Sequence, residues 1–278
     1  MPINIDHAQV SALIREAAAE DIMPLWRKLE DHQVEEKRRN DVVTDADRHC
    51  EQRLSHELAA LLPGSLVVGE EAVHADPGLM AALESVRPVW VIDPLDGTNN
   101  FASGSGPFAV MVCLVERGET IAAWIYDPRS ESMLTAEKGA GAVLDDRPLQ
   151  LTPFAGGTNG VSGALSTRYL PAELTPAALA GAQQLGTTRA SGCAGYDYRA
   201  LATGHYQFAF YYRTLIWDHA PGVLIVTEAG GTAARLDGSV YRPTASTPGL
   251  LCACDPQTWR TTRDLTAPSY QPDSTSRT

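Results

Sequence analysis

The chain has 278 residues, of which 34 are acidic and 22 are Lys or Arg, so its formal net charge is −12. Hydrophobic residues make up 44% of the chain and charged residues 20%, which is typical of a folded globular protein. The acidic balance argues against a nucleic-acid polymer or an anionic membrane surface as partner, because binding to either requires a basic protein surface.

The N-terminal residues and the cysteines bear on where the protein works. No apolar run approaches the length of a transmembrane span, and the first ten residues lack the basic and apolar regions of a secretory signal. The five cysteines lack the spacing of a disulfide framework. We therefore expect a reduced, cytoplasmic protein.

The first part of the chain predicts two helices. Residues 6–22 carry apolar side chains at helical spacing, whereas the charge-dense residues 30–40 predict a solvated helix end and a loop. Thr44 and Asp47 have the spacing of a capping box, which predicts a second helix that stops at the Pro-Gly pair at residues 63–64.

Strands follow that second helix. Short apolar strands are predicted at residues 65–69 and 89–92, and each of them ends at acidic residues. Residues 108–137 predict a meander of three strands joined by hairpin turns. Beyond them we predict helices at residues 175–185, 196–203 and 218–229, and strands at 205–212, 232–236 and 249–253.

A Gly-, Thr- and Pro-rich stretch at residues 151–163 is the best candidate for a boundary between halves. It predicts an N-terminal α+β half at residues 1–150 and a C-terminal α/β half at 151–265 that includes Asp218. Residues 266–278 predict a disordered tail. Because the elements do not form a regular βαβ series, we expect layered sheets and helices of the α+β class.

Carboxylates recur where predicted strands end and predicted helices begin. Asp93 and Asp96 lie three residues apart across a Pro-containing turn, so both side chains can point at one place. Gly97 lets the backbone come close, and the amides that follow it and the Thr98 hydroxyl can face the same place. Oxygen ligands suit Mg²⁺, and exposed amides suit a phosphate. The alternative is an Asp-rich turn that only caps a short helix.

Three more turns carry acids, and each has a purely structural alternative. Glu70 and Glu71 follow a strand and are either ligands or part of a solvated loop. Asp218 suits a helix N-cap, although the preceding Trp217 could form a pocket floor, and the capping box alone explains Asp47. If these turns converge, the clustered negative charge requires cations, which favours metal-assisted phosphoryl chemistry.

Four segments resemble the inositol monophosphatase family. WVIDPLDGTNNF at residues 90–101 resembles the first signature of that family, and WDHAPG at 217–222 with EAGG at 228–231 resembles the second. DVVTDAD at 41–47 and GEE at 69–71 resemble its two other site segments, in the family's order. The resemblance covers about residues 8–262 and implies a layered αβαβα sugar-phosphatase fold, like that of inositol monophosphatase and fructose-1,6-bisphosphatase.

The resemblance also implies a Mg²⁺-dependent phosphomonoesterase of the lithium-sensitive type, often a homodimer. Asp47 and Thr98 would orient an attacking water with Glu70 beside it, and the Gly97 and Thr98 amides would bind the phosphate. Gly192 and Cys193 stand where family members approach the substrate, with a tight turn as the alternative. The implied metal ligands, most of them in the half at residues 1–150, are Glu70, Asp93, Asp96, Asp218 and the carbonyl of Leu95.

One position departs from the family pattern. Inositol-selective members carry a Glu seven residues before the second-signature Asp, and this chain has Tyr211 there. The charged acceptor for ring hydroxyls is therefore missing. Tyr211 and Tyr212 could stack on an aromatic substrate, and Arg213 could reach a second phosphate or a carboxylate. Alternatively, the two tyrosines simply alternate along a strand and Arg213 lies at the surface.

We therefore expect hydrolysis of a small phosphorylated metabolite by a metal-activated water. Inositol monophosphate, a 3′(2′),5′-bisphosphate nucleotide, histidinol phosphate and a sugar bisphosphate remain open as substrates. A catalytically silent member that binds or regulates a partner is the rival class. The complete set of candidate ligands favours the enzyme.

Overall fold

The computed structural model describes residues 3, 5–38, 41–244, 247–268 and 270. Its helices are α1 (His7–Ala17), α2 (Asp45–Leu61), α3 (Glu70–Ala75), α4 (Thr98–Ala102), α5 (Thr175–Ala182), α6 (Ala194–Ala202), α7 (Ile216–Glu228) and α8 (Pro256–Thr266). Short 3₁₀ or π turns are formed by Ala18–Ile22, Asp31–Gln33, Pro77–Glu84 and Thr158–Gly160.

The strands form three sheets. A two-stranded ribbon contains β1 (Val34–Arg38) and β2 (Asp41–Thr44). A seven-stranded sheet contains, in spatial order, β3 (Leu66–Gly69), β4 (Val89–Asp96), β5 (Ala109–Glu116), β6 (Glu119–Asp127), β7 (Ser132–Glu137), β8 (Gly141–Leu144) and β9 (Arg147–Leu149). A four-stranded sheet contains, in spatial order, β10 (Gly163–Leu165), β11 (Phe208–Tyr211), β13 (Leu250–Ala253) and β12 (Thr232–Arg235).

The seven-stranded sheet is covered on both faces. Alternate residues of β4 point to opposite sides, so Trp90 and Ile92 pack with α1 and α2, whereas Val91 packs with α6 and α7. Strand β5 is buried along nearly its whole length for the same reason. A strand with helices on both faces reads as a continuous apolar run, as residues 108–115 do.

The four-stranded sheet forms the next layer. Ala209 and Cys252 face the shared core with α6 and α7, whereas Phe208, Phe210 and Leu251 face a separate core covered by α5 and α8. The layers therefore run α1/α2, seven-stranded sheet, α6/α7, four-stranded sheet and α5/α8. The predicted αβαβα architecture of the α+β class is confirmed.

The ribbon β1–β2 corrects the predicted loop at residues 30–40. Glu35 and Glu36 of β1 are exposed, while Val43 of β2 is buried. A two-stranded ribbon leaves much of its surface in water, so charged residues suit it as well as they suit a loop. Charge density alone therefore does not distinguish a loop from a two-stranded ribbon.

The end of the chain also differs from expectation. Helix α8 was not predicted, although Asp255 caps it by accepting hydrogen bonds from the amides of Gln257 at 2.7 Å and Thr258 at 2.9 Å. Ala267 and Tyr270 are buried, and the Tyr270 hydroxyl donates to the carbonyl of Pro248 at 3.0 Å. The prediction of a disordered tail is therefore wrong for its first residues, because burial and a hydrogen bond hold Ala267 and Tyr270 in place. Residues 271–278 lie outside the described residues.

The division into halves at residues 1–150 and 151–265 stays a prediction. Among the residues that the structure describes, no helix is long and apolar enough to cross a membrane.

Candidate active site

Three of the predicted acidic turns meet in space. Glu70 begins α3 directly after β3, Asp93 lies near the end of β4, and Asp218 lies in the first turn of α7. Strands β3 and β4 are parallel, with Gly69 opposite Ile92, so their carboxyl ends bring Glu70 beside Asp93. One carboxylate oxygen from each of the three acids lies within 4.8 Å of the others.

Asp218 can join this group because it is not the N-cap of α7. The helix begins at Ile216 with Leu215 in the cap position, and Pro221 lies inside the helix. The alternative in which Asp218 only caps the helix is therefore wrong, because α7 begins at Ile216, two residues before the predicted start. The carboxylate is instead presented from the first helical turn toward Glu70 and Asp93.

Asp96 lines the same cavity but points partly elsewhere. The pairing of β4 with β5 shifts register between Asp93 and Asp96, as at a β-bulge. One Asp96 oxygen accepts hydrogen bonds from the Gly195 amide at 2.6 Å and the Cys193 thiol at 3.0 Å. The structure thus ties Asp96 to the start of α6 and does not include it in the three-acid group. Its other oxygen is the one left to act as a ligand.

Thr98 and Asp47 meet next to these acids. The Thr98 hydroxyl lies 3.0 Å from an Asp47 oxygen and 2.9 Å from the Leu95 carbonyl. The other Asp47 oxygen accepts the Thr44 amide at 2.7 Å, as in a capping box. Asp47 is therefore both the predicted helix cap and a neighbour of Thr98 in the site.

Gly97 is required by the shape of this turn. Its φ of +87° lies in the left-handed region, and a Cβ atom there would lie 2.9 Å from the carbonyl oxygen of Pro107. The same Cβ atom would lie 3.1 Å from Cβ of Cys193. Any side chain at this position would therefore push the turn away from Pro107 and Cys193.

Burial makes this concentration of carboxylates costly. The pKa of Asp93 is raised well above its usual range, first by burial and then by the charges of Glu70, Asp96 and Asp218. Burial also raises the pKa of Asp96 to about 6 and that of Asp47 to about 7, against hydrogen bonds that favour the charged forms. A cation at this place would offset the repulsion, so the acids fit a metal site.

Glu70, Asp93, Asp96 and Asp218 line a cavity of about 190 Å³ whose walls include the expected substrate contacts, whereas Asp47 is not among its lining residues. The predicted residues found along it, besides the acids, are Leu95, Gly97, Thr98, Gly192, Cys193, Tyr211 and Arg213. Next to this lining, the side chain of Asn100 donates to the carbonyls of Pro107 at 2.8 Å and Ser191 at 3.1 Å, which ties α4 to the segment before Gly192.

Tyr211 lies deep in this cavity. It is 7% exposed, its hydroxyl lies 3.4 Å from an Asp197 oxygen, and its ring centroid is 4.5 Å from that of His219. Tyr212 packs toward the α5/α8 core, so the two tyrosines alternate along the strand. Trp217 lines a neighbouring cavity and not this one, which corrects the suggestion that it forms the pocket floor.

Sequence reasoning missed Glu51. Its carboxylate accepts the amides of Glu71 at 2.7 Å and Ala72 at 2.8 Å, and so fixes the start of α3 beside Glu70. Burial raises the pKa of Glu51 to about 7. A signal was available, because Glu51 falls at helical spacing between Asp47 and the buried Leu54 of the apolar stripe.

Asp197 and His219 were missed as well. Asp197 on α6 is 3% exposed and lines the cavity, and burial raises its pKa to about 7. No turn or strand end marks it in the sequence. His219 follows Asp218; its Nε2 lies 3.1 Å from the Arg213 carbonyl oxygen, and its Nδ1 lies 3.1 Å from the Tyr198 hydroxyl.

The protonation of His219 follows from its partners. Burial lowers its pKa to about 3, so the ring is neutral at pH 7. A carbonyl oxygen can only accept, so the Nε2–H donates to Arg213 and Nδ1 accepts the proton of Tyr198. His219 therefore links α6, α7 and the segment that follows β11, without adding charge.

The chain is similar to known proteins of one family. The model of the inositol monophosphatase family matches residues 5–271. A Nus factor SuhB from Xylella fastidiosa is 35% identical over 218 residues, which cover 76% of this chain and 75% of that protein. An inositol-1-monophosphatase from Rhizobium meliloti is 32% identical over 213 residues, covering 71% and 73%. The solved structure of inositol monophosphatase II from Staphylococcus aureus has the same fold, with a TM-score of 0.77 at 23% identity over 95% of this chain and 94% of that one.

Proposed function

The chain belongs to the inositol monophosphatase family, and from that premise we propose that it is a metal-dependent phosphomonoesterase acting on a small phosphorylated metabolite. The observation that carries the proposal is the group formed by Glu70, Asp93 and Asp218, with oxygens within 4.8 Å of one another. The pair of Thr98 and Asp47 lies beside that group.

The donor set supports Mg²⁺ as the metal. All its ligand atoms are oxygens, which hard cations prefer, and Mg²⁺ is commonly held by a few carboxylates. Asp96, through its second oxygen, and the Leu95 carbonyl would complete the set around Glu70, Asp93 and Asp218. Bound Mg²⁺ would lower the pKa of water and offset charge on the leaving oxygen.

The protein's own groups would position the other reactants. Asp47 and Thr98 would orient the attacking water, with Glu70 beside it, for direct in-line attack without a covalent enzyme intermediate. The Gly97 and Thr98 amides would bind phosphate oxygens. Gly192 and Cys193 would form the facing wall, which is already fixed to Asp96 through the Cys193 thiol.

A regulatory role is the second candidate, and the name of the Xylella fastidiosa relative, a Nus factor, is its support. The two candidates differ in what they require of the acids. Hydrolysis needs the full set of ligands together with Thr98 and Asp47, whereas binding to a partner needs only the surface of the fold. The intact acidic group favours the enzyme.

A phosphate-release screen tests the proposal. The panel contains inositol 1-phosphate, histidinol phosphate, fructose 1,6-bisphosphate and adenosine 3′,5′-bisphosphate, each assayed with Mg²⁺ and again with a chelator. We expect chelator-sensitive release that Asp93→Asn abolishes and Asp264→Asn preserves. Asp264 is the matched control because it lies exposed on α8, so its change removes the same charge away from the site.

Two results contradict the proposal in different ways. Full turnover after exhaustive chelation would remove the metal from the mechanism. Absence of release from every panel member, with a folded protein, would favour the regulatory role. The homodimer and the cytoplasmic location stay predictions.

A further inference from the structure

One part of the cavity has the opposite charge to its acidic group. The guanidinium carbon of Arg213 lies 3.8 Å from the centroid of the Tyr169 ring, and that of Arg168 lies 5.1 Å from the same centroid. All three residues line the cavity that contains Glu70, Asp93 and Asp218. We call Arg168, Tyr169 and Arg213 the cationic rim.

The charge of Arg213 is not neutralised by an acid nearby. In the described part of a chain whose net charge is −12, no carboxylate lies within ion-pair distance of Arg213. A guanidinium stacked on a ring face still directs its N–H groups outward around its edge. Stacking on Tyr169 therefore limits the motion of Arg213 while leaving its donors able to meet an anion.

The segment around Arg213 is held from two sides, once at the backbone and once at the side chain of Thr214. The Nε2–H of His219 donates to the Arg213 carbonyl at 3.1 Å, and His219 is itself fixed by Tyr198. Buried Arg235 donates to the Thr214 hydroxyl at 2.9 Å. These contacts come from α7 and β12, which belong to the packed core, so the cationic rim rests on a rigid support.

We propose that the cationic rim binds a second phosphate of the substrate, so that the enzyme acts on small bisphosphorylated metabolites. The inference rests on the proposed function, because it assumes that the first phosphate lies at the acidic group. Arg168 and Arg213 pair naturally with phosphate oxygens, since the planar guanidinium forms two parallel hydrogen bonds to such groups. Tyr211, in place of a carboxylate, removes a charge that would repel the second phosphate.

The test compares substrates that differ by one phosphate. kcat and KM are measured for fructose 1,6-bisphosphate against fructose 1-phosphate, and for adenosine 3′,5′-bisphosphate against 3′-AMP. We expect Arg213→Ala to raise KM for at least one bisphosphate by about tenfold or more and to leave its monophosphate within about twofold. Arg213→Lys should recover part of the loss, and Arg168→Ala should act in the same direction.

Arg260→Ala is the matched control. Arg260 is exposed on α8, so the change alters the net charge of the chain equally without touching the cavity. An equal rise in KM for Arg260→Ala, or an Arg213→Ala effect that is alike for monophosphates and bisphosphates, would overturn the inference.

A binding measurement separates this inference from the proposed function. Calorimetric titration of each bisphosphate uses the Asp47→Asn background with Mg²⁺, which keeps the proposed metal ligands and slows turnover. Arg213-dependent binding without any turnover in the unmodified protein would retain the second-phosphate site and reject the phosphatase. Turnover of monophosphates, together with bisphosphate binding that Arg213→Ala does not weaken, would retain the phosphatase and reject the second-phosphate site.

Discussion

The Thr98 hydroxyl has one proton and two acceptors within reach, the Asp47 carboxylate and the Leu95 carbonyl. Thr98 and Asp47 should therefore act as a unit. We expect Thr98→Ala and Asp47→Asn each to lower kcat and the double variant to be little worse than either, because losses within a unit are not additive. The measurement is a double-mutant cycle on kcat.

Thr98→Ser is the control for that cycle. It keeps the hydroxyl and should keep most of the activity. If the losses in kcat of the two single variants simply add in the double variant, Asp47 serves only as a helix cap, through its hydrogen bond to the Thr44 amide.

Asp93 carries a second prediction. Asp93→Asn should lower kcat by orders of magnitude, because it removes a proposed metal ligand. The metal-free variant should nevertheless be more stable to unfolding by about 1 kcal/mol or more, since it removes buried charge repulsion. Asn can still accept the Leu95 amide that now donates to Asp93 at 3.0 Å.

Urea unfolding in the presence of a chelator measures that change in stability, with Asp264→Asn as the comparison. A near-normal kcat would remove Asp93 from the site. If Asp93→Asn is less stable than the unmodified metal-free protein, the charge of Asp93 does not destabilise the fold.

At the scale of elements, regular patterns were predictable and local exceptions were not. The meander β5–β7 was expected because apolar runs alternate with tight turns. Helix α8 was missed because its sequence, PQTWRTTRDLT, is polar, and its apolar contacts come mainly from Trp259 and Leu265. Its N-cap Asp255 was the signal that a search for apolar stripes passed over.

The residues of the site also divide into those that a sequence pattern marks and those that it does not. Residues within the two signatures were found because the resemblance marks them, and Asp93 and Asp218 do meet in space. Asp197 and the cationic rim were not found as a group, because Arg168 and Arg213 are 45 residues apart and meet only through the β10–β11 pairing. Contacts between parallel strands that are distant in sequence leave no local pattern.

The packing of α6 against α7 gives a prediction at this scale. A Cβ atom on Gly222 of α7 would lie 2.1 Å from the Tyr198 ring, so Gly222→Ala must displace one helix. We expect a loss of about 3 kcal/mol in the free energy of unfolding, together with lower activity because α7 carries Asp218.

Thr227→Ala on the exposed face of the same helix is the control and should cost less than about 1 kcal/mol. Urea unfolding measures both variants. Equal stability of Gly222→Ala and the unmodified protein would mean that the α6–α7 contact can relax freely.

At the scale of the whole molecule, buried acids make the metal-free protein sensitive to pH. Burial raises the pKa of Asp47, Glu51 and Asp197 to about 7 and that of Asp96 to about 6. Their folded pKa values exceed the unfolded ones, so the stability that they contribute is complete below about pH 4 and is lost as the pH rises through about 6 to 7.

We therefore expect the free energy of unfolding of the metal-free protein to fall between about pH 5 and about pH 8. Mg²⁺ should reduce this fall, since it offsets the charges of the acids that it binds. Unfolding curves with a chelator and with Mg²⁺ measure the difference. A metal-free profile that rises over this range would contradict the prediction.

The position of α7 between the two sheets has a kinetic consequence. Asp93 lies on β4 and Glu70 directly follows β3 of the same sheet, whereas Asp218 reaches them only after α7 has docked, 125 residues further along the chain than Asp93. A cation held by all three acids can therefore bind only once folding is nearly complete. Interactions that form after the transition state slow unfolding and leave the folding rate unchanged. The metal would thus lengthen the lifetime of the folded molecule without hastening its formation.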